Sequence, residues 1–492
     1  MFRQILTNTS RYSLAVFASR AVAFLLLPVY TRYLTPADYG VMALLDVMSS
    51  LVGMLVGSRL GQGLFYFYFA ADTKEEKDAC LSTALVTAAI MGGFAAGLGI
   101  LFSAQLSLII FGLAQNALYL QLALLGLGFS LPLEVGFCIM RTLSDSLGYL
   151  RVSLFHLVIG AALNLLCLAA FRMGIRGMLV SAIIASAAIS IYLAVKSLSA
   201  VMARLDWKLM GRFVFYSLPL TISSLAAFLI HYGDRVILRA HIPLAELGIY
   251  SLAYKFGMLI ASVHMPFVMH WNAQVIAIVR GPGGEQSFSR SCTYLTAVLA
   301  TAVVGLSLFI DPLLRMMTGR AFASAGVWVP WIAFAYLIRA MGAHLQSLFT
   351  VEGKPGIEAR VNVVGGITCT AAYFYLIPRF QVAGAIAATT IGFLVILLHG
   401  FWEAQRLRPF SLEYRRLSGI MSLAALIVVT FRWVCPADVW SQVGVAIVFL
   451  GVYLVTLYLG CFERSEREAA IGAMKALLRR SPVEVDVQQA IA

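Results

Sequence analysis

The sequence predicts an all-α integral membrane protein with about fourteen transmembrane helices. Composition is the first reason, because the 492 residues are 61% hydrophobic and 12% charged, about half the charged fraction of a soluble protein. Mean hydropathy is correspondingly high, at +0.88. The second reason is that apolar segments of about 20 residues, the length that crosses a bilayer, recur along the whole chain. The third is an asymmetric distribution of basic residues between the connecting loops.

Each predicted transmembrane helix corresponds to one apolar segment. The fourteen segments are 12–33, 40–60, 80–102, 117–140, 150–171, 177–198, 213–233, 247–270, 290–310, 325–349, 357–377, 382–403, 417–434 and 439–461. The first is too long for the apolar region of a cleavable signal peptide and is not followed by a small-residue cleavage site. We therefore expect it to stay in the membrane.

The basic residues indicate how the chain is oriented. Of the 36 Lys and Arg residues, 23 fall on the side of the two termini, nine on the opposite side and four within spans. The positive-inside rule therefore places both termini in the cytoplasm and supports an even number of spans. The net charge of +13 is spread over short loops. Without a concentrated basic patch and interleaved aromatic residues, it does not predict a nucleic-acid partner.

Two stretches of the chain repeat each other at an offset of about 208 residues. They are LLLPVYTRYLTPADYGVMALLDV at 25–47 and AFLIHYGDRVILRAHIPLAELGIYSLAYK at 227–255. With one inserted residue, Pro36 aligns with Pro243 and Gly40 with Gly248. In each copy an apolar helix ends, turns through a proline, an acidic residue and a glycine, and a second helix begins. The repeat predicts two structural halves, arranged in parallel because their first helices start on the same side.

The same stretches resemble a known family. LPVYTRYLTPADYG, which ends at Gly40, and GDRVILRAHIPLAELGIYSLAYKFG, which ends at Gly257, are similar to signatures of polysaccharide-biosynthesis membrane proteins. These are the Wzx-like lipid-linked oligosaccharide flippases of the multidrug/oligosaccharidyl-lipid/polysaccharide exporter superfamily. The resemblance implies two six-helix lobes around a central cavity, plus two C-terminal helices. The predicted domains are lobe 1–198, linker 199–212, lobe 213–404, two helices in 405–461 and a cytoplasmic tail 462–492.

Four basic residues lie inside predicted spans. Arg20 and Arg59 belong to the first half, and Lys255 and Arg339 to the second. A charge at the bilayer centre costs roughly 2.5–3.5 kcal/mol on insertion scales, so a wet cavity or a buried partner is required. Cations from both halves fit a cavity that holds an anion between two lobes, although Arg59 is close enough to a helix end to snorkel. The resemblance implies that they bind a lipid pyrophosphate and sugars.

Acidic residues inside predicted spans are fewer. Asp46 and Glu134 are candidates for coupling transport to H⁺ or Na⁺. The alternative is that either forms an internal salt bridge with a nearby arginine. Arg141 lies on the helical face of Glu134 but roughly 10 Å away, too far for a direct bond. We predict a local ion pair between Asp234 and Arg235 at a helix end.

Other polar residues point to no metal, cofactor or enzyme. His264 and His270 flank Pro266, a predicted helix kink, and His344 follows Arg339; all three are secondary site candidates or packed polar residues. The seven cysteines contain no CxxC pair, so we interpret them as small apolar core residues. The chain has no GxxxxGK[ST] motif and no GxSxG motif, which argues against a P-loop ATPase or a serine hydrolase.

Together, these features and the resemblance imply a flippase of the bacterial inner membrane. Its expected substrate is an undecaprenyl-pyrophosphate-linked oligosaccharide, carried by alternating access with ion coupling and in the company of other polysaccharide-assembly membrane proteins. Three alternatives stay open: a drug/cation antiporter, a lipid II flippase of the same superfamily, and a non-transporting scaffold. The predicted spans contain four candidate basic residues and two candidate acidic residues, which favours an anionic substrate over a cationic drug. The charged spans argue against a scaffold.

Overall fold

A computed structural model describes residues 2–57, 59–112, 114–199, 205–436 and 438–461. These residues form helices and connecting turns, and no strand is present among them. The α-helices are α1 (Phe2–Leu25), α2 (Leu27–Tyr33), α3 (Pro36–Val56), α4 (Leu60–Ala70), α5 (Lys74–Leu101), α6 (Ser103–Phe111), α7 (Ala117–Thr142), α8 (Ser146–Leu165), α9 (Gly174–Ser199), α10 (Trp207–Arg239), α11 (Leu244–Gly257), α12 (Leu259–Arg280), α13 (Gly284–Met317), α14 (Val329–Val351), α15 (Pro355–Leu407), α16 (Tyr414–Val434) and α17 (Val439–Cys461). Short 3₁₀ turns at Ala114–Asn116 and Arg320–Val327 and a π turn at Leu166–Ala170 complete the helical structure.

The fold class predicted from the sequence is confirmed, and the protein is a multi-pass membrane protein. All fourteen predicted spans fall on helices. Ten helices in the described ranges are long and apolar enough to cross a membrane, and eleven if a pair bent by 46° at residue 328 counts as one span. The difference from fourteen arises partly because α15, with 53 residues, contains two predicted spans. They meet at Gln381, whose φ of 49° breaks the helical geometry inside α15.

The chain folds into two compact units. The first unit comprises Met1–Leu259 with Leu313–Ala404, and the second Ile260–Pro312 with Gln405–Ala492. The predicted tail 462–492 and residues 200–204 of the predicted linker lie outside the described residues. In the first unit, α5, α7 and α9 pack together, with Gly92 of α5 against the backbone of Gly128 in α7.

In the second unit, an ion pair and a group of aromatic rings join elements that are distant in sequence. Arg432 of α16 donates a hydrogen bond from Nη1 to Oδ2 of Asp311 on α13, at 2.9 Å. The ring centroid of Phe288 lies 6.0 Å from that of Trp271 and 5.2 Å from that of Phe410. These contacts join α12, α13 and the segment before α16.

Helices α3 and α11 begin at the two copies of the repeated motif. Thr35 precedes α3, and its side chain accepts a hydrogen bond from the amide of Asp38 at 3.2 Å. The Asp38 carboxylate accepts one in return from the amide of Thr35 at 2.8 Å, which completes a capping box. Pro243 precedes α11 and Glu246 lies in its first turn. Both helices therefore begin in the same way. A proline ends the preceding helix, and an acidic residue in the first turn interacts favourably with the helix dipole.

The repeated glycines place the backbones of α3 and α11 in contact. A Cβ atom on Gly40 would overlap the carbonyl oxygen of Leu244, and one on Gly248 would overlap the carbonyl oxygen of Pro36. Only glycine permits this approach, which explains why the motif carries a glycine at the same place in both copies. We call this contact the α3–α11 crossing.

Enlarging either glycine should destabilise the protein. We expect Gly40→Ala to lower the free energy of unfolding by about 1–3 kcal/mol, because the backbones must move apart. The matched control is Gly97→Ala on α5, where an added Cβ meets nothing within 4 Å and should stabilise the helix by about 0.5–1 kcal/mol. Melting temperatures of the two purified variants test this. Equal melting temperatures would contradict a close crossing.

Candidate functional site: a polar cavity in the first unit

A cavity of about 660 Å³ lies within the first unit. Helices α2, α3 and α9 of the predicted first lobe line it together with α10, α11 and α14 of the predicted second lobe. The lining residues are Tyr30, Tyr39, Met42, Ala43, Asp46, Ser49, Ser50, Met178, His231, Tyr232, Arg235, Ser251, Tyr254, Lys255, Met258 and Tyr336. The two repeated halves thus each supply a wall.

Two of the predicted charged residues meet in this cavity. Asp46 follows Gly40 on α3 by six residues, and Lys255 follows Gly248 on α11 by seven, so both lie about 9–10 Å along their helices from the α3–α11 crossing. Both side chains are exposed, and they interact electrostatically. The Lys255 Nζ atom also lies 5.2 Å from the centroid of the Tyr39 ring, within the range of a cation–π interaction.

The cavity has a second cation, Arg235, which is held in place from several directions. Its Nη1 atom lies 3.1 Å from Oδ1 of Asp234 and donates a hydrogen bond to the carbonyl of His231 at 2.7 Å. The Tyr250 hydroxyl donates a hydrogen bond to the other carboxylate oxygen of Asp234, which is fully buried. The guanidinium carbon lies 4.5 Å from the centroid of the Tyr254 ring. Arg235 is therefore a rigid part of the cavity wall.

The sequence interpretation of Arg235 was partly wrong. The predicted ion pair with Asp234 is present, but it lies within α10, which continues to Arg239. Arg235 was not predicted as a cavity residue. His231 and Arg235, four residues apart and hence on one face of α10, both line the cavity, so this spacing is the signal that could have found Arg235.

Arg339 lies near the cavity without lining it. It follows Tyr336, a lining residue, by three positions on α14. Its guanidinium carbon is 5.5 Å from the centroid of the Phe393 ring. It interacts electrostatically with His231, a lining residue on α10. Arg339 thus contributes positive charge from behind the lining residues.

The remaining predicted charges lie elsewhere. Arg20 on α1 is exposed, and Arg59 occupies the residue before α4. Glu134 on α7 interacts electrostatically with Arg141 and Arg59. Arg141 donates a hydrogen bond to the sulfur of Cys138 at 2.9 Å. Arg20, Arg59 and Glu134 are not among the described residues that line the cavity.

The three candidate histidines do not line the cavity either. His344 on α14 is buried, with 3% of its surface exposed. In the second unit, His264 is buried and stacks on Phe267 with ring centroids 6.3 Å apart, whereas His270 is exposed. Within the described ranges, no group of three or more His, Cys, Asp or Glu residues is placed to hold a metal ion.

Two contacts join the predicted first lobe to the predicted second lobe near the α3–α11 crossing. Arg239, at the end of α10, donates a hydrogen bond to the carbonyl of Phe111 in α6 at 2.5 Å. The rings of Tyr39 and Phe322 meet edge to face with centroids 5.1 Å apart.

The lining suits a ligand with negative charge and many hydroxyl groups. Lys255 and Arg235 provide cationic donors, and Asp46 provides one anionic acceptor. Five tyrosines and three serines add hydroxyl groups and aromatic faces to the wall. A few placed polar groups on an otherwise apolar and aromatic surface are typical of small-molecule sites.

Residues 5–271, more than half of the chain, match the polysaccharide biosynthesis protein family. The chain belongs to this family. A relative of this polysaccharide biosynthesis protein is the probable low-salt glycan biosynthesis flippase Agl15 of Haloferax volcanii, 22% identical over 285 residues. That alignment covers 54% of this chain and 57% of the relative, so the chain spans little more than half of the relative's length.

Solved structures of similar fold cover most of the chain. The lipid II flippase MurJ in an inward closed conformation superposes with a TM-score of 0.72 at 12% identity, over 91% of this chain and 98% of that one. An inward-facing multidrug resistance MATE family transporter of the MOP superfamily superposes with a TM-score of 0.65 at 14% identity, over 84% and 99%. These similarities concern the fold. The resemblance to polysaccharide-biosynthesis membrane proteins that the repeated motifs indicated is confirmed by the family match.

Removing one hydroxyl should show how strongly the Asp234–Arg235 pair depends on its neighbours. We expect Tyr250→Phe to lower the free energy of unfolding by about 1–3 kcal/mol, because a buried carboxylate loses a hydrogen-bond donor. Thermal melting followed by intrinsic fluorescence measures the change. Tyr375→Phe, at a ring that is 60% exposed, serves as the control. If the two variants have the same melting temperature, the stability of the buried Asp234 carboxylate does not depend on the Tyr250 hydroxyl.

Proposed function

We propose that this protein is a flippase that moves an undecaprenyl-pyrophosphate-linked oligosaccharide from the cytoplasmic to the outer leaflet of a bacterial inner membrane. The observation that carries the proposal is the cavity in which Lys255 and Arg235 of one repeat face Asp46 of the other. Membership of the polysaccharide biosynthesis protein family supports a glycan as cargo. Both termini would lie in the cytoplasm, as the distribution of basic residues indicates.

Lys255 is the residue best suited to bind the pyrophosphate. It is exposed in the cavity, and an ammonium group offers three donors as a mobile point charge. Arg235 adds a fixed positive charge, although Asp234 compensates much of it. The tyrosine and serine hydroxyls would contact the sugars. Arg339, behind the wall, would strengthen the positive potential.

Asp46 is the proposed site of coupling to H⁺ or Na⁺. It is the acidic residue among the described residues that line the cavity, and Lys255 and Arg235 act on it electrostatically. Any change in the charge of Asp46 therefore changes how strongly the two cations attract a pyrophosphate. Arg20, Arg59 and Glu134, away from the lining, are proposed to act on the route to the cavity.

The same cavity also favours a second candidate, a drug/cation antiporter. Asp46 and the five lining tyrosines resemble a site for an organic cation, since aromatic faces attract positive charge. Lys255 and Arg235 oppose this function, because each repels a cation within the same cavity. The flippase is therefore the function that the charges support better.

Substitution of Lys255 tests the anion site. We expect Lys255→Gln to reduce export of surface polymer by about tenfold or more, because a charge-assisted hydrogen bond is lost. Lys255→Arg should restore part of the export, since the charge is kept. Lys74→Gln, on the exposed start of α5, is the control and should export normally. If cells that contain normal levels of the Lys255→Gln protein export polymer fully, Lys255 does not belong to the binding site.

Deletion of the gene tests the substrate. We expect a lipid-linked oligosaccharide to accumulate on the inner leaflet while surface polymer is lost, and chemical analysis of the lipid would identify the glycan. Unchanged surface polymer together with sensitivity to cationic dyes would instead establish the antiporter. Re-expression of the intact gene controls for effects on neighbouring genes.

A further inference from the structure

A second, mostly apolar pocket of about 270 Å³ lies within the first unit. It is lined by Leu44, Val47 and Met48 of α3 and by residues at the ends of α6 and α10. On α3 these side chains lie on the face opposite Asp46, so the pocket is separate from the polar cavity. The proposed transport function does not use it.

The pocket opens to the surface of the helical bundle through apolar side chains. Ile109 is 80% exposed and Val236 is 54% exposed, whereas Leu44 and Val47 at its floor are each 1% exposed. The helix that carries the floor, α3, belongs to a segment that is long and apolar enough to cross a membrane. Lipid tails are as apolar as leucine. A lipid chain is therefore the occupant that this opening admits most readily.

One end of the pocket lies where helices end. The last residue of α10 is Arg239, and α6 ends at Gly112, whose φ of 67° stops the helix. Leu44 follows the start of α3 at Pro36 by eight residues, or about 12 Å along the helix axis. The pocket therefore runs from the ends of helices, where head groups of a bilayer lie, towards the apolar interior.

Arg239 places a positive charge at this end. Its Nη2 atom donates a hydrogen bond to the Phe111 carbonyl at 2.5 Å, which fixes the guanidinium beside the pocket. A carbonyl is a neutral acceptor, so the charge is not neutralised by it, and none of the described residues that line the pocket is acidic. The Nε atom is enclosed, whereas Nη1 is not enclosed and has no partner in the described part of the chain. Its N–H groups can bind an oxyanion.

We propose that this pocket binds one acyl chain of an anionic phospholipid, whose phosphate pairs with Arg239. A positive charge without an acidic neighbour in the lining attracts a head group of net negative charge more strongly than a zwitterionic one. The volume of about 270 Å³ is just below the range of 300–1,000 Å³ that is usual for a whole ligand. The pocket therefore holds part of one chain, and the rest of the lipid stays in the bilayer.

A lipid bound here touches both predicted lobes. Helices α3 and α6 belong to the predicted first lobe, and α10 belongs to the second. A ligand that contacts both lobes binds the state in which they meet better than a state in which they are apart, so it shifts the population towards the former. An anionic phospholipid would thus stabilise the lobe arrangement described above, whatever the polar cavity carries.

The test counts the lipids that the full-length protein retains after purification in detergent. Native mass spectrometry is carried out with phosphatidylglycerol, phosphatidylethanolamine or undecaprenyl phosphate added at equal concentrations. We expect one molecule of phosphatidylglycerol to be retained at concentrations where phosphatidylethanolamine is lost. Equal retention of these two lipids overturns the assignment of an anionic head group. Displacement of phosphatidylglycerol by undecaprenyl phosphate at lower concentration would show that the pocket takes an isoprenoid chain, and would overturn the phospholipid.

Variants separate the charge from the apolar part of the pocket. Arg239→Gln should weaken binding of phosphatidylglycerol about tenfold or more, the effect of losing charge-assisted hydrogen bonds, whereas Arg239→Lys should keep part of the preference. Val236→Phe should also weaken binding, because the larger ring fills the pocket while Arg239 is kept. The matched controls are Arg379→Gln, at an exposed arginine outside the pocket, and Val158→Phe, at a valine of α8 that is 63% exposed. Both should bind as the wild type does.

Arg239→Gln also removes the hydrogen bond to Phe111, so Val236→Phe carries the decision if that variant folds poorly. A Val236→Phe protein that retains phosphatidylglycerol as tightly as the wild type overturns the placement of the chain in this pocket. An Arg239→Gln protein that keeps the wild-type preference between the two phospholipids overturns the role of the arginine.

Discussion

The cavity in the first unit depends on the close approach of two backbones at the α3–α11 crossing. Gly40 and Gly248 bring the two helices together where any side chain would overlap a carbonyl group. Below this point the helices carry Asp46 and Lys255 to similar depths, so the opposite charges of the two repeats face one space. Contacts of Arg239 with Phe111 and of Tyr39 with Phe322 also join the two predicted lobes. Separating α3 from α11 would therefore change the electrostatic interaction between Asp46 and Lys255.

Burial decides which of the two cavity cations is available to a ligand. The side chains of Arg235 and Asp234 are buried, and each buried ion loses several kcal/mol of hydration free energy. Their mutual attraction, the Tyr250 hydroxyl and the carbonyl of His231 offset this loss only while the geometry is kept. A ligand that drew Arg235 away would leave Asp234 as an unpaired buried charge. Lys255 carries no such constraint, because its side chain is exposed in the cavity.

The sequence predicted the all-helical membrane fold, and it singled out Asp46 and Lys255, which both line the cavity. It could do so because apolar length and charges inside apolar segments have large energetic consequences. It did not predict that Asp46 and Lys255 face each other, since that follows from packing between distant helices. Arg235 was assigned to a helix end because a charged pair after an apolar run looks like the edge of a span. The structure shows α10 continuing past it. Burying this charged pair costs hydration free energy, which is offset by a hydrogen bond from Tyr250 of α11; a contact between two helices cannot be recognised from the local sequence.

The contacts at the α3–α11 crossing have approximate twofold symmetry. Gly248 approaches the carbonyl of Pro36, and Gly40 approaches the carbonyl of Leu244, which follows Pro243, the counterpart of Pro36. Each glycine therefore touches nearly the same place in the motif of the other copy. In a half-length chain, this contact would be the isologous interface of a homodimer. Identical subunits place the same residue on both walls of such a cavity. Fusion into one chain removes this restriction, which is why one wall here can carry an acid and the other a base.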